Sequence, residues 1–140
     1  MPKEPNYEEL ERRVKELEKV ADERRRTSKV FLASDQKKEA ILNSLMEHVV
    51  HQDTEMRILW ANRAACESVN LPYEEIVGNY CYEIWPKRSD PCFDCPVIKA
   101  MDMGQPQVIE KSTPDEKYWF IRGYTLRNRN GEIVGGIDVA

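Results

Sequence analysis

KYWFIRGYTLRNRNGEIVGGIDVA, residues 117–140, decides the fold. Two β-prone runs, 117–128 and 132–140, flank Asn128-Arg129-Asn130-Gly131, where an Asn-Gly pair supplies positive φ at little cost. The stretch therefore reads as an antiparallel hairpin. Farther back, QVIEKS (107–112) reads as a third strand. HVVHQD (48–53) and RILW (57–60) read as an earlier hairpin across the polar turn Thr54-Glu55-Met56. Helical segments lie between the two groups of strands. ANRAACESVN (61–70) is helix-prone, and Leu71-Pro72 opens a short piece with Glu74 and Glu75 near its start and Gly78 at its end. CPVIKAMDMG (95–104) is amphipathic, with Val97, Ile98 and Met101 on its apolar side and Gly104 past its end. Two strands, several short helices and three more strands predict an α+β domain over residues 46–140 with a five-stranded antiparallel sheet.

Residues 1–45 are of another kind. No glycine or proline interrupts residues 6–45, and Tyr7, Leu10, Val14, Leu17 and Ala21 alternate steps of three and four. That is heptad spacing, which leaves one narrow apolar seam and asks for a partner helix. The seam continues through Arg24, Ser28, Phe31, Asp35 and Lys38 to Leu42 and Leu45, so its middle is polar. A parallel homodimeric coiled coil is expected, firm in its first half and splayed over residues 22–38. The plainer alternative is a single solvated helix, with Glu8, Glu9 and Glu11 facing Arg12, Arg13 and Lys15.

Composition narrows the function classes. The 140-residue chain is 33% charged with a net charge of −4, which leaves no basic stripe for nucleic acid. No run approaches the roughly 18 apolar residues of a membrane span, and no signal-peptide core follows Met1. A cytoplasmic segment is expected, whether or not a longer parent is membrane-anchored. No phosphate loop, nucleophile–His set or recognisable pair of catalytic carboxylates is present, so enzymatic activity in this segment is not expected.

Taken in order, the residues of 41–140 resemble a PAS domain, the small sensory module of bacterial and archaeal signalling proteins. ILNSLMEHVVHQD resembles the helix-to-first-strand entry, and RILWANRAAC the second strand with its strand-ending Asn62. LPYEEIVGN resembles the segment closing in hydrophobic-x-Gly, and YWFIRGYTLRNRNGEIVGGIDV the last two strands. YEELERRVKELEKVADERRR resembles the coiled-coil linkers that precede PAS domains in sensor histidine kinases. The family runs on into an Asp-x-Thr motif and a second signalling helix, so the resemblance implies an excised sensor piece. It implies a sensory input module whose parent is a sensor histidine kinase or, alternatively, a diguanylate cyclase. A purely structural dimerisation module is the competing class.

The resemblance also implies a ligand pocket between sheet and short helices, with residues 78–104 as one wall and Tyr82, Trp85, Phe93, Ile98 and Met101 as core or lining. A small molecule is the expected occupant of such a pocket. Flavin is not expected: Gly78-Asn79-Tyr80-Cys81-Tyr82-Glu83-Ile84-Trp85 shares only the glycine and cysteine of the photochemical pattern G-x-N-C-R-F-L-Q. Haem is not expected either, because residues 93–104 lack histidine and the chain's two histidines, His48 and His51, lie at the first strand.

CYEIWPKRSDPCFDCP (81–96) holds three of the four cysteines. A C-x-x-C turn brings two sulfurs close enough for one metal ion or a disulfide. Pro91 and Pro96 stiffen this turn, and a helix starting at Cys95 is expected to lower a thiol pKa there. Zinc or an iron–sulfur cluster normally takes four ligands, so Cys66 or a histidine would join Cys81, Cys92 and Cys95. Three readings stand side by side: a metal-free structural or redox thiol cluster, a zinc or iron–sulfur site, and unrelated buried cysteines.

Overall fold

The computed structural model describes residues 6–113 and 116–140, so the first five residues of the expected 1–45 linker lie outside the described residues. The chain divides into two compact units, one ending at Ala40 and one spanning Ile41–Ala140.

The first unit is helical. Helix α1 runs Tyr7–Asn43, 37 residues without one buried side chain. Asn6 Oδ1 accepts from the Glu9 N–H at 2.9 Å and caps the start, where Glu8 and Glu9 suit the helix dipole. Leu10, Val14 and Leu17 of the seam all remain exposed on the single chain. Among the described residues, no helix is long and apolar enough to cross a membrane.

The second unit is a five-stranded antiparallel sheet carrying four short helices. Its strands are β1 (Val49–Gln52), β2 (Ile58–Ala61), β3 (Gln107–Ser112), β4 (Tyr118–Arg127) and β5 (Ile133–Val139), in spatial order β2-β1-β5-β4-β3. The last strand thus lies at the centre, against the first. The 128–131 turn closes as its sequence predicts. Asn128 Oδ1 accepts from the Asn130 and Glu132 N–H groups at 2.9 and 3.0 Å, and Gly131 takes φ +79°. The β1–β2 turn departs from expectation. Asp53 Oδ1 accepts from the Glu55 and Arg57 N–H groups at 2.9 Å each, but Met56 has φ +71° and is only 3% exposed. Turning inward, Met56 belongs to the core and not to a polar turn.

The helices are α2 (Arg63–Val69), α3 (Tyr73–Ile76), α4 (Cys81–Ile84) and α5 (Pro96–Met103). Pro72 stands at the N-cap of α3, one step outside the first turn. The single turn α4 carries no amphipathic period long enough to read from sequence. In α5, Pro96 follows the N-cap Cys95, and Gly104 at φ +69° stops the helix through its N–H to the Ala100 carbonyl at 2.8 Å. One apolar cluster gathers Val50, Ile58, Ala61, Ala65 and Ile76 between β1, β2, α2 and α3. A second gathers Met56, Tyr82 and Val97.

Candidate functional site

The second cluster is where the cysteines meet. Cys81 begins α4 and donates its N–H to the Met56 carbonyl at 3.1 Å. Cys95 caps α5, and its N–H reaches the Cys92 carbonyl at 3.3 Å, closing the C-x-x-C turn. All three pack with Tyr80, Ile98 and Met101 against Met56, Tyr82 and Val97. Tyr82 is buried and stacks on Tyr80 with ring centroids 5.1 Å apart.

The sheet contributes two polar residues that sequence reading missed. Antiparallel partners share a face, and the pairs Val50–Asp138, Gln52–Gly136 and Gly123–Asp138 put Asp138, Gln52 and both glycines on the side facing α5. Gln52 is fully buried. In the orientation that satisfies its surroundings its Nε2 donates to the Gly136 and Val50 carbonyls at 3.2 Å each. Asp138 Oδ1 is sealed from solvent and has no hydrogen-bond partner among the described residues. Burial pushes its carboxyl up to about 7. The signal for Asp138 lay in strand parity, since an acid two positions from Gly136 shares its inward face.

Charge-state chemistry follows from this crowding. The Cys81 thiol is pushed up to about 12, chiefly by burial and then by the neighbouring Cys95, Asp138 and Cys92. Burial also raises the Cys95 thiol, although the Ile98 and Val97 N–H groups at the helix start favour its thiolate. The expected lowering at Cys95 is therefore overturned. The helix start supplies its N–H groups, but desolvation outweighs them.

The remaining candidates separate. Cys66 and Trp85 pack on the other cluster, around Val50 and Ile76, and Trp85 Nε1 donates to Ser68 Oγ at 2.9 Å. Among the described residues, only Cys81 packs against both clusters. Burial raises the Cys66 thiol, with Glu74 and Glu67 adding to the rise. Phe93 is 99% exposed, so the lining role expected of it is not met: the tight Cys92–Cys95 turn throws it outward. His48 packs against Trp119 with the rings tilted by 48° and their centroids 5.2 Å apart, and burial lowers its pKa. The same cause lowers His51, with Asp53 opposing. Among the described residues, no three His, Cys, Asp or Glu side chains already stand in a metal-holding group.

Space over the sheet is just as informative. A Cβ on Gly123 would run into the Pro96 backbone and the Val97 N, and one on Gly136 into Val97 Cγ1. Helix α5 therefore lies directly on the strip of β4 and β5 beside Asp138. No organic ligand fits between them there.

A second polar node sits at the other end of the sheet. Asn62 is fully buried between β2 and α2. Its Oδ1 accepts from the Val49 and Ala65 N–H groups at 3.0 and 3.1 Å, and its Nδ2 donates to the Leu42 and Glu47 carbonyls at 3.0 and 2.8 Å. One side chain thus ties the last turn of α1 to β1 and caps α2. Nearby, Asn43 Oδ1 accepts from the Arg63 N–H at 2.9 Å, and His48 and Ala140 pair through their backbones at 2.8 and 3.0 Å. The helix entering the domain and the last strand leaving it are both tied to β1.

Residues 42–139 match the family model described as PAS fold. A search of curated proteins finds no match. Among solved structures, a domain of an HTR-like protein from Haloarcula marismortui has a TM-score of 0.57 at 13% identity, covering 68% of this chain and 95% of its own. The PAS domain of histidine kinase ThkA has a TM-score of 0.53 at 19% identity, covering 66% and 96%. The Vibrio cholerae VqmA dimer has a TM-score of 0.59 at 17% identity, covering 74% and 50%, and VqmA has also been solved bound to DPO. At these identities the likeness is one of fold.

Proposed function

This chain belongs to the PAS fold family, and from that premise we propose that it is the sensory input module of a histidine kinase, signalling through a dimeric coiled coil. Residues 1–45 serve as the coiled-coil linker and residues 46–140 as the sensing domain. A diguanylate cyclase parent is the alternative and uses the same input.

The Asn62 node carries the reading. A change of packing among α2–α5 and the sheet alters the geometry around Asn62, which holds the Leu42 and Glu47 carbonyls through one amide nitrogen. Two arrangements of that node become two arrangements of α1, and a dimeric helix passes the difference to an output domain. The exposed Leu10, Val14 and Leu17 supply the surface for the second copy.

Sedimentation equilibrium tests the dimer. The 140-residue chain is expected to be dimeric, whereas a chain beginning at Ile41 and a Leu10→Asp/Leu17→Asp variant are expected to be monomeric. Identical oligomeric states in all three would overturn the role assigned to α1.

A further inference from the structure

We propose that Cys92 and Cys95 form a thiol–disulfide exchange site, which takes a low-molecular-weight disulfide as its oxidant and closes a bridge across the turn before α5. Its use as a signal rests on the sensory reading above; the thiol chemistry does not.

The turn already holds the two residues at bridging range. The Cys95 N–H meets the Cys92 carbonyl at 3.3 Å, a bond from residue i+3 back to residue i. A turn closed in this way keeps its outer Cα atoms within about 7 Å, and a disulfide spans roughly 4.4–6.8 Å between Cα atoms. Both side chains pack on the one cluster of Met56, Tyr82 and Val97. Both are free thiols and only half-buried, so a small oxidant reaches them. A bridge across two intervening residues closes a very short loop and removes little entropy from the unfolded chain. Such a bond serves exchange chemistry better than it serves as a staple.

Cys92 follows the exposed segment 86–91 and meets the oxidant first. Its thiolate attacks one sulfur of the small disulfide, and the departing half takes up the proton that Cys92 lost. The Cys95 thiolate then attacks the Cys92 sulfur of the mixed disulfide, and the second small thiol leaves with the Cys95 proton. Two cysteines are oxidised, and one small disulfide is reduced to two thiols. The Val97 and Ile98 N–H groups favour Cys95 as thiolate while burial raises its thiol, so the second step quickens as pH rises.

Closing the bridge moves one side of the turn. Helix α5 is seated on β4 and β5, where Gly123 and Gly136 leave no space for a Cβ and Thr125 Oγ1 donates to the Ala100 carbonyl at 2.7 Å. Cys95 is therefore fixed, and Cys92 shifts with the segment before it. That segment is tied at Arg88, whose N–H donates to the Tyr82 carbonyl at 2.8 Å. The shift thus reaches α4, which begins at Cys81 and packs on both apolar clusters.

The test uses the reduced 140-residue chain, freed of metal by a chelator and equilibrated with oxidised and reduced glutathione at fixed ratios. Mass spectrometry after acid quenching is expected to show the loss of two hydrogens within a single chain. Chymotryptic cleavage after Phe93 should then leave two peptides joined until a reductant is added. Cys95→Ser should stop at a mixed disulfide on Cys92, and Cys66→Ser should oxidise like the wild type. The wild type gives a readout that needs no substitution: Cys92 and Cys95 of the folded, reduced chain should react with iodoacetamide, and neither should after oxidation. Hydrogen exchange should change at residues 85–92 and stay constant in β4. No bridge at any ratio, a bridge to Cys81 or Cys66, or a bridge only between two chains would overturn the site. A bridge that leaves exchange at 85–92 unaltered would overturn its use as a switch. Sedimentation of the reduced chain tests the sensory reading separately.

Discussion

Asn62 Nδ2 donates to the Leu42 carbonyl at 3.0 Å, joining the end of the second strand to the last turn of the N-terminal helix. The same side chain holds Glu47, Val49 and Ala65, so it satisfies two buried N–H groups and two carbonyls at once. Asn62→Ala leaves those groups unpaired and removes the cap of α2, at a cost of about 3 kcal/mol of unfolding free energy. Asn62→Asp keeps the acceptor but loses both donated bonds. It should retain protection of α2 while hydrogen exchange accelerates across residues 41–47. Uniform acceleration over the whole domain would show that the node does not act locally.

Gly123→Ala places a methyl group against the Pro96 backbone, which cannot rotate away, and Gly136→Ala presses on Val97 Cγ1. Overpacking of this kind costs about 3 kcal/mol when backbone must move. Gly131→Ala meets open space and pays only for its positive φ, about 1 kcal/mol. Denaturant melts of the three variants should keep that order. An equal loss in all three would mean that α5 does not rest on the sheet.

The last hairpin, α2, α5 and the number of strands were legible because period-two patterning, Asn62, Asn128-Gly131 and Gly104 each act within a few residues, whereas the strand order β2-β1-β5-β4-β3 is set by long-range pairing. The site was legible only in part. Cys81, Cys92 and Cys95 announced themselves by spacing, but Gln52 and Asp138 enter from strands 29 and 43 residues from Cys81 and Cys95 respectively, brought in by sheet register. The thiol pKa expectation failed for a related reason: helix-start N–H groups can be read locally, whereas desolvation depends on everything packed above. Phe93 failed because residue type cannot tell which side of a tight turn faces out.

Met56 and Phe93 exchange the roles that their neighbourhoods suggest. Met56→Ala should cost about 2–3 kcal/mol, because a buried side chain is lost while the positive φ stays equally strained. Phe93→Ala should change stability by less than about 0.5 kcal/mol. Thermal melts of both variants decide it. A larger loss for Phe93 would return that ring to the interior.

His48 provides the pH test. Burial lowers its folded-state pKa below 6.5, so the unfolded chain binds the proton more readily. Stability from this group is therefore present above 6.5 and is lost as pH falls through 6.5, until the folded-state pKa is passed. Asp138 works in the opposite sense, because a carboxyl raised to about 7 favours the fold as pH drops through that value. The raw curve mixes both groups with His51. The difference between wild type and His48→Phe cancels the other two and isolates the imidazole against Trp119. That difference should shift toward the wild type as pH rises from about 5 to 8. A flat difference would mean that His48 gains no neutral-form preference from its place against Trp119.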